Sequence, residues 1–329
     1  MKSIPSMFST VLLTVFILAA CSKNNTAPIP VTPPGSDSSI ISNIVYATNT
    51  NYLGQNQQLA LDIYLPTNNS TVLKSPLVLF IHGGGFLDGD KKSAKNDCQV
   101  LASKGFTVAS IDYRLGWTKN NTNPCASNVS EALNAFYRAQ QDARAALRFL
   151  VANAATYSID VNQVFVVGAS SGAQIAMAIP YLSQDSANQY YPGISNTLGL
   201  LDNAGNNLKN TYSIKAIGCM WGSLINTSLI TKQNAVPSIF FHGEQDAVIP
   251  WNVGHGYNCD NFPLGYGAKP LYDRLTSLGV AAVAHIDPLG GHGIYDTQFN
   301  EENIACFFTS LMQNQPQTGY YTTQLSNCK

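Results

Sequence analysis

An α/β fold on a mostly parallel central sheet is what this chain of 329 residues predicts. Three observations carry that expectation. Short apolar runs alternate with stretches of helical spacing. Several of the runs are apolar throughout, as strands buried on both faces of a parallel sheet must be. Two glycine-rich motifs each directly follow such a run, His82-Gly83-Gly84-Gly85-Phe86 and Gly168-Ala169-Ser170-Ser171-Gly172. The composition supplies the core, with 45% hydrophobic residues, 14 Phe, 16 Tyr and 3 Trp.

In chain order, the first 21 residues read as an export address rather than part of the fold. Lys2 gives a positive start, and residues 7–20 (MFSTVLLTVFILAA) are an uninterrupted run of weakly polar and apolar residues. That run is shorter than the ~20 residues a membrane-spanning helix needs and fits a secretory leader. It ends in Leu18-Ala19-Ala20-Cys21, which resembles a bacterial lipobox. The resemblance implies that Cys21 is lipidated and anchors an exported lipoprotein to the membrane, facing periplasm or cell exterior. An ordinary signal peptide cut near Ala20 is the alternative. Residues 22–41 are rich in Pro, Ser and Asn and read as a flexible tether. Residues 42–329 are then one α/β domain.

Residues 57–64 (QQLALDIY) alternate polar and apolar side chains, the mark of a half-exposed strand. Residues 76–81 (PLVLFI) and 106–111 (FTVASI) read as buried strands on either side of a helix at 93–104. The clearest helix is 130–155, where Ala132, Leu133, Phe136, Ala139, Ala143, Ala146, Leu147 and Leu150 recur at helical spacing. A strand at 164–167, a helix at 171–182, and strands at 214–220 and 238–241 follow. A helix at 268–278, a strand at 281–286 and a helix at 299–312 close the series. The stretches 183–213 and 251–267 break the rhythm and read as insertions covering the sheet.

A net charge of −1 with only 11% charged residues excludes a nucleic-acid binder, which needs clustered Lys and Arg. Besides Cys21 there are six cysteines: Cys98, Cys125, Cys219, Cys259, Cys306 and Cys328. In an oxidising compartment they allow up to three disulfides. Cys306–Cys328, close in sequence, is the first expectation. Cys219–Cys259 is the second, placed at the end of one strand and in the loop after its neighbour; either cysteine is otherwise free. No CxxC or HExxH spacing occurs, so neither metal nor cofactor is expected.

The chemistry sits in the two glycine motifs and downstream of them. Gly168-Ala169-Ser170-Ser171-Gly172 is G-x-S-x-G between a strand and a helix, the setting of a nucleophile elbow. Ser170 is the expected nucleophile. The three glycines after His82 supply amides with no side chain in the way, so Gly84, Gly85 and the Ser171 amide are the expected oxyanion hole. His82 is expected to be structural. An acid and then a histidine should follow. Asp246, in the loop straight after strand 238–241, is the expected acid, with Glu244 its rival. His292, in Gly290-Gly291-His292-Gly293, is the expected base. His242, His255 and His285 lack that setting.

Together these residues resemble the α/β-hydrolase superfamily. They are most similar to its HGGGF/W carboxylesterases, both hormone-sensitive-lipase-like and bacterial feruloyl/acetylxylan esterase-like. The likeness covers roughly residues 57–312 and includes HGGGFLDGDK (82–91), Asp112-Tyr113-Arg114-Leu115, HGEQDAVIP and GGHG. Ser171 departs from it, standing where Ala is usual. The resemblance implies a reduced cap and a serine carboxylesterase that needs no cofactor. Its substrates would be short-acyl or aromatic-acyl esters, as small molecules or linked to polysaccharide. A serine peptidase and a catalytically silent binding lipoprotein are the alternatives. Polar covering segments lead to an expected preference for acyl chains of about two to six carbons, for want of apolar wall.

Overall fold

The computed structural model describes Met1, residues 40–67 and residues 74–328. The chain divides into Met1–Pro33 and Pro34–Lys329. The expected leader, Cys21 and nearly all of the expected tether lie outside the described residues.

Alternating apolar runs become the strands of one sheet. These are β1 (Ile40–Thr50), β2 (Asn56–Tyr64), β3 (Ser75–Ile81), β4 (Thr107–Ile111), β5 (Ile159–Ala169), β6 (Ile214–Met220) and β7 (Ser238–Gly243). A small hairpin, β8 (Val253–His255) with β9 (Leu264–Tyr266), stands apart. The main sheet ends with β10 (Ala282–Asp287) and β11 (Gly319–Tyr321), and its order is β1-β2-β4-β3-β5-β6-β7-β10-β11. Only β1–β2 and β2–β4 pair antiparallel; every pairing from β4 to β11 is parallel. The expected mostly parallel sheet is therefore what forms.

Side chains alternate across a strand, so each strand feeds two cores. Leu77, Leu79 and Ile81 of β3 join one cluster with α2 (Val129–Ala152), α3 (Ser171–Tyr181) and α6 (Ala268–Ser277). Val78 and Phe80 join the other, beneath α1 (Lys95–Ser103) and α7 (Thr297–Met312). Two shorter helices, α4 (Gln184–Tyr190) and α5 (Ile194–Leu198), lie inside the stretch read as an insertion.

The tether expected over 22–41 overlaps β1, since Ile40 pairs with Tyr64 and Ile41 with Ile63. Two register irregularities in β1 break the alternation that would have revealed an edge strand. Cys306–Cys328 forms as expected and ties the C-terminus to α7. Cys219–Cys259 does not. Cys219 is buried within β6 as a free thiol, and Cys259 bonds Cys125, which precedes α2.

Between sheet and α2 lies a buried ion pair. Arg114 and Asp142 meet at 2.8 Å with both side chains almost fully enclosed. The guanidinium also donates to Gln141 Oε1, Arg138 O and Thr50 O, so its charge and its donors are both satisfied. This pair fixes the loop after β4 against α2, next to the site.

Candidate active site

Ser170 sits between β5 and α3 with φ 55° and ψ −121°, a strained conformation for a residue with a side chain. The turn is possible because two glycines flank it. A Cβ on Gly168 would lie 2.3 Å from Gly172 O, and one on Gly172 would lie 2.0 Å from Ile81 O. The Ser170 amide donates to Met220 O at 2.9 Å, which fixes the turn to the adjacent strand.

Ser170 Oγ lies 2.9 Å from His292 Nε2. On the other edge of the ring, His292 Nδ1 lies 2.8 Å from Asp246 Oδ2. Because a carboxylate only accepts, Nδ1 carries the proton and Nε2 is free to accept the hydroxyl proton of Ser170. Asp246 is almost fully enclosed, and every side of its carboxylate is engaged. Oδ1 accepts the amides of Val248 and Ile249 at 2.8 and 3.0 Å, and Oδ2 accepts His242 Nε2 at 3.1 Å as well as His292. Burial opposes its charge, but the hydrogen bonds from His242 and His292 prevail and hold the carboxyl well below the usual carboxylate range. Among the described residues no hydrogen bond or ion pair joins Glu244 to His292.

The HGGG loop runs from β3 past the head of α3. Tyr113 Oη donates to His82 O at 2.9 Å, and the two rings stack at 4.4 Å. The His82 ring bonds Gly83 O, and its burial lowers its affinity for a second proton. His82 is thus structural. Trp117 Nε1 donates to Gly85 O at 2.8 Å, holding the far side of the loop. Of the three amides expected to form an oxyanion hole, that of Gly85 is already spent. It donates to Ser171 Oγ at 3.0 Å. The amides of Gly84 and Ser171 have no acceptor among the described residues.

A cavity of about 600 Å³ opens beside Ser170 and His292. Phe86, Leu133, Phe136, Ala178, Leu182 and Tyr191 give it an apolar wall, drawn from the loop, from α2 and α3, and from the ends of α3 and α4. Opposite them, Trp117 and Lys119 on the segment before α2 meet Tyr257 and Phe262 around the small hairpin. The Cys125–Cys259 disulfide joins those two segments.

A family model described as BD-FAE matches residues 61–223, which include both glycine motifs. Over that stretch, just under half of its length, the chain is similar to this family. Asp246 and His292 lie beyond the matched residues, so their place in the site rests on the geometry above. Among curated relatives, the isoprenylcysteine alpha-carbonyl methylesterase of Arabidopsis thaliana is 29% identical over 70% of this chain and 52% of its own length. The chain spans less than two thirds of the length of the curated relatives it matches. In solved structures, a truncated carbohydrate esterase from gut microbiota superposes with a TM-score of 0.59 at 21% identity, covering 86% of this chain and all of that one. The butyrate-bound esterase of Thermogutta terrifontis gives 0.56 at 15% identity, covering 82% and 94%. These likenesses show the fold.

Two features of this site were not legible in the sequence. His242 is a second partner of Asp246, and only its place four residues earlier, near the end of β7, pointed there. The apolar wall was missed because Ala132, Leu133 and Phe136 were read as core-facing. They occupy the start of α2, where they face the cavity. The premise of a missing apolar wall does not hold.

Proposed function

We propose that the protein is a serine carboxylic-ester hydrolase with Ser170 as nucleophile, His292 as base and Asp246 as the group that orients it. The Ser170–His292–Asp246 relay opening into a cavity is the observation that carries this reading. His292 Nε2 takes the hydroxyl proton as Ser170 Oγ attacks the ester carbonyl. The amides of Gly84 and Ser171 stabilise the resulting oxyanion, helped by the dipole of α3. Collapse expels the alcohol, which receives the proton from His292. Water activated by the same imidazole then releases the acid from the acyl-enzyme.

The cavity suits esters with aromatic acyl groups or short to medium aliphatic ones, as free small molecules or linked to carbohydrate. Names such as carbohydrate esterase among the structural neighbours support the second source. Lipidation at Cys21 and export complete the proposal, supported by the leader-like sequence and by two disulfides among the described residues. A fluorophosphonate probe tests the core of it. Labelling and ester hydrolysis should both vanish in Ser170→Ala; either one persisting in that variant defeats the reading.

A further inference from the structure

No Asp or Glu lines the cavity, yet Lys119 does. No carboxylate pairs with it among the described residues, in contrast to Lys91, Lys104 and Lys269. Its ammonium instead stands over the ring of Tyr257, 4.5 Å from the centroid. An aromatic face holds a cation without neutralising it and leaves N–H donors pointing elsewhere.

That seat is built rather than incidental. Tyr257 packs edge-on against Phe262 at 5.4 Å, and Phe262 against Trp117 at 6.3 Å. Tyr257 and Asn258 both take positive φ, 54° and 55°, immediately before the disulfide-bonded Cys259. The Tyr257 amide donates to Val248 O at 2.8 Å, linking it to the loop that carries Asp246. A Cβ on Gly85 would lie 3.7 Å from Tyr257 Oη, so the phenol abuts the HGGG loop. Lys119 is thus one aromatic ring away from the loop that faces the reacting carbonyl.

We infer that Lys119, seated on Tyr257, is a subsite for an anionic group, so that the preferred substrates are esters carrying a carboxylate. This rests on reading the cavity as an ester site. A carboxylate meeting Lys119 would find a point charge with free donors, on an aromatic floor shared with Trp117 and Phe262. A neutral ester gains the floor but not the charge. The carboxylate belongs to either the acyl or the alcohol half of the ester, and two matched pairs separate these. The acyl pair is the p-nitrophenyl monoester of glutaric acid against p-nitrophenyl pentanoate. The alcohol pair is 4-acetoxybenzoate against 4-acetoxybenzamide.

The reading is the ratio of kcat/KM for the anionic member to that for the neutral one. In one pair, Lys119→Met should lower that ratio about tenfold, mainly through KM. Lys119→Arg should keep the ratio, and Lys119→Glu should lower it further. Lys209→Met, an exposed lysine bonded to Asn203, should leave it unchanged. The wild-type ratio should also fall between about 20 mM and about 500 mM NaCl, as screening weakens the attraction. Ratios that stay within about twofold in both pairs on Lys119→Met overturn the subsite while leaving the hydrolase reading intact. Failure of the wild type to hydrolyse any of these esters, or hydrolysis surviving Ser170→Ala, defeats the hydrolase reading instead, and the subsite with it.

Discussion

Ser171 Oγ accepts the amide proton of Gly85 at 3.0 Å, so the residue after the reactive serine ties the HGGG loop to the head of α3. The proton order of this contact follows from its neighbours. Tyr113 Oη gives its hydrogen to His82 O, so at 3.3 Å it can only accept the hydroxyl hydrogen of Ser171. Gly85, Ser171, Tyr113 and His82 form one directed chain, and such chains strengthen cooperatively. Alanine at position 171 cannot make it.

Ser171→Ala should therefore lower kcat about tenfold with little change in KM, because a loosened oxyanion loop matters most when charge develops. Stability should also fall by about 1 kcal/mol, the usual net worth of a hydrogen bond at a half-buried position. Steady-state kinetics and thermal unfolding of the single variant check both. An unchanged kcat would mean that the loop keeps its position without the hydroxyl.

Ser170→Ala and His292→Ala should each cut kcat by roughly 10⁴–10⁶, and the double variant should be barely worse, because the two act in one step. Asp246→Asn should cost on the order of 10⁴ by disturbing the His292 tautomer. Glu244→Gln should cost little, since Glu244 does not reach the imidazole. Additive losses, or damage from Glu244→Gln, would show the relay to be wrongly assigned.

Glu301 gives a pH signature. It is fully buried on α7 with neither carboxylate oxygen partnered, and burial, then the charge of Asp97, pushes its pKa well above the ordinary 4.5. A raised folded-state pKa favours the protonated form. Its contribution to stability is fully present below pH 4.5 and is lost as pH rises toward the folded value. Glu301→Gln should remove that loss. Its melting temperature should exceed the wild type's by a few degrees at pH 8, and the gap should close near pH 4. A gap independent of pH would place the ionisation elsewhere.

The apolar wall extends the range of acyl groups. With Leu133, Phe136 and Leu182 facing the cavity, kcat/KM should rise from acetyl through chains of about eight carbons. Each added CH₂ gains up to ~0.8 kcal/mol while wall remains to receive it. A p-nitrophenyl ester series measures this directly. A peak at acetyl would mean that the wall receives the alcohol rather than the acyl group.

Where local physics decides, the sequence was informative. Residues 76–81 can be little other than a buried strand, and Gly168 and Gly172 announce a turn that no larger residue fits. Chain order, the loop straight after strand 238–241 and the glycine setting of Gly290-Gly291-His292-Gly293 singled out Asp246 and His292. Less could be read where partners come from afar. β1 is an irregular edge strand whose pairing with β2 makes it visible. His242 looked ordinary until Asp246 folded back onto it. Phe136 obeys helical spacing whether it meets core or cavity. Nothing local distinguishes Cys125 from Cys219 as the partner of Cys259, because the choice is made by the approach of two loops 134 residues apart.

That approach sets the last prediction. Cys125–Cys259 joins the segment bearing Trp117 and Lys119 to the one bearing Tyr257 and Phe262, and all four side chains line the cavity. The same gap is spanned by Asn261 Nδ2 donating to Cys125 O at 2.9 Å, by the Trp117–Phe262 ring pair and by Lys119 over Tyr257. Ser170, Asp246 and His292 are positioned by β5, β7 and β10 respectively and the loops that follow them. Replacing both Cys125 and Cys259 by Ser should therefore loosen substrate contacts more than chemistry, raising KM about fivefold while kcat stays within about twofold. It should also cost about 2–4 kcal/mol of stability, since a long loop in the unfolded chain is no longer closed. The Cys306/Cys328 double Ser variant is the control. It too should melt earlier, but neither residue lines the cavity, so its KM should match the wild type's. Equal KM effects from both double variants would mean that the change reflects general destabilisation rather than the cavity wall.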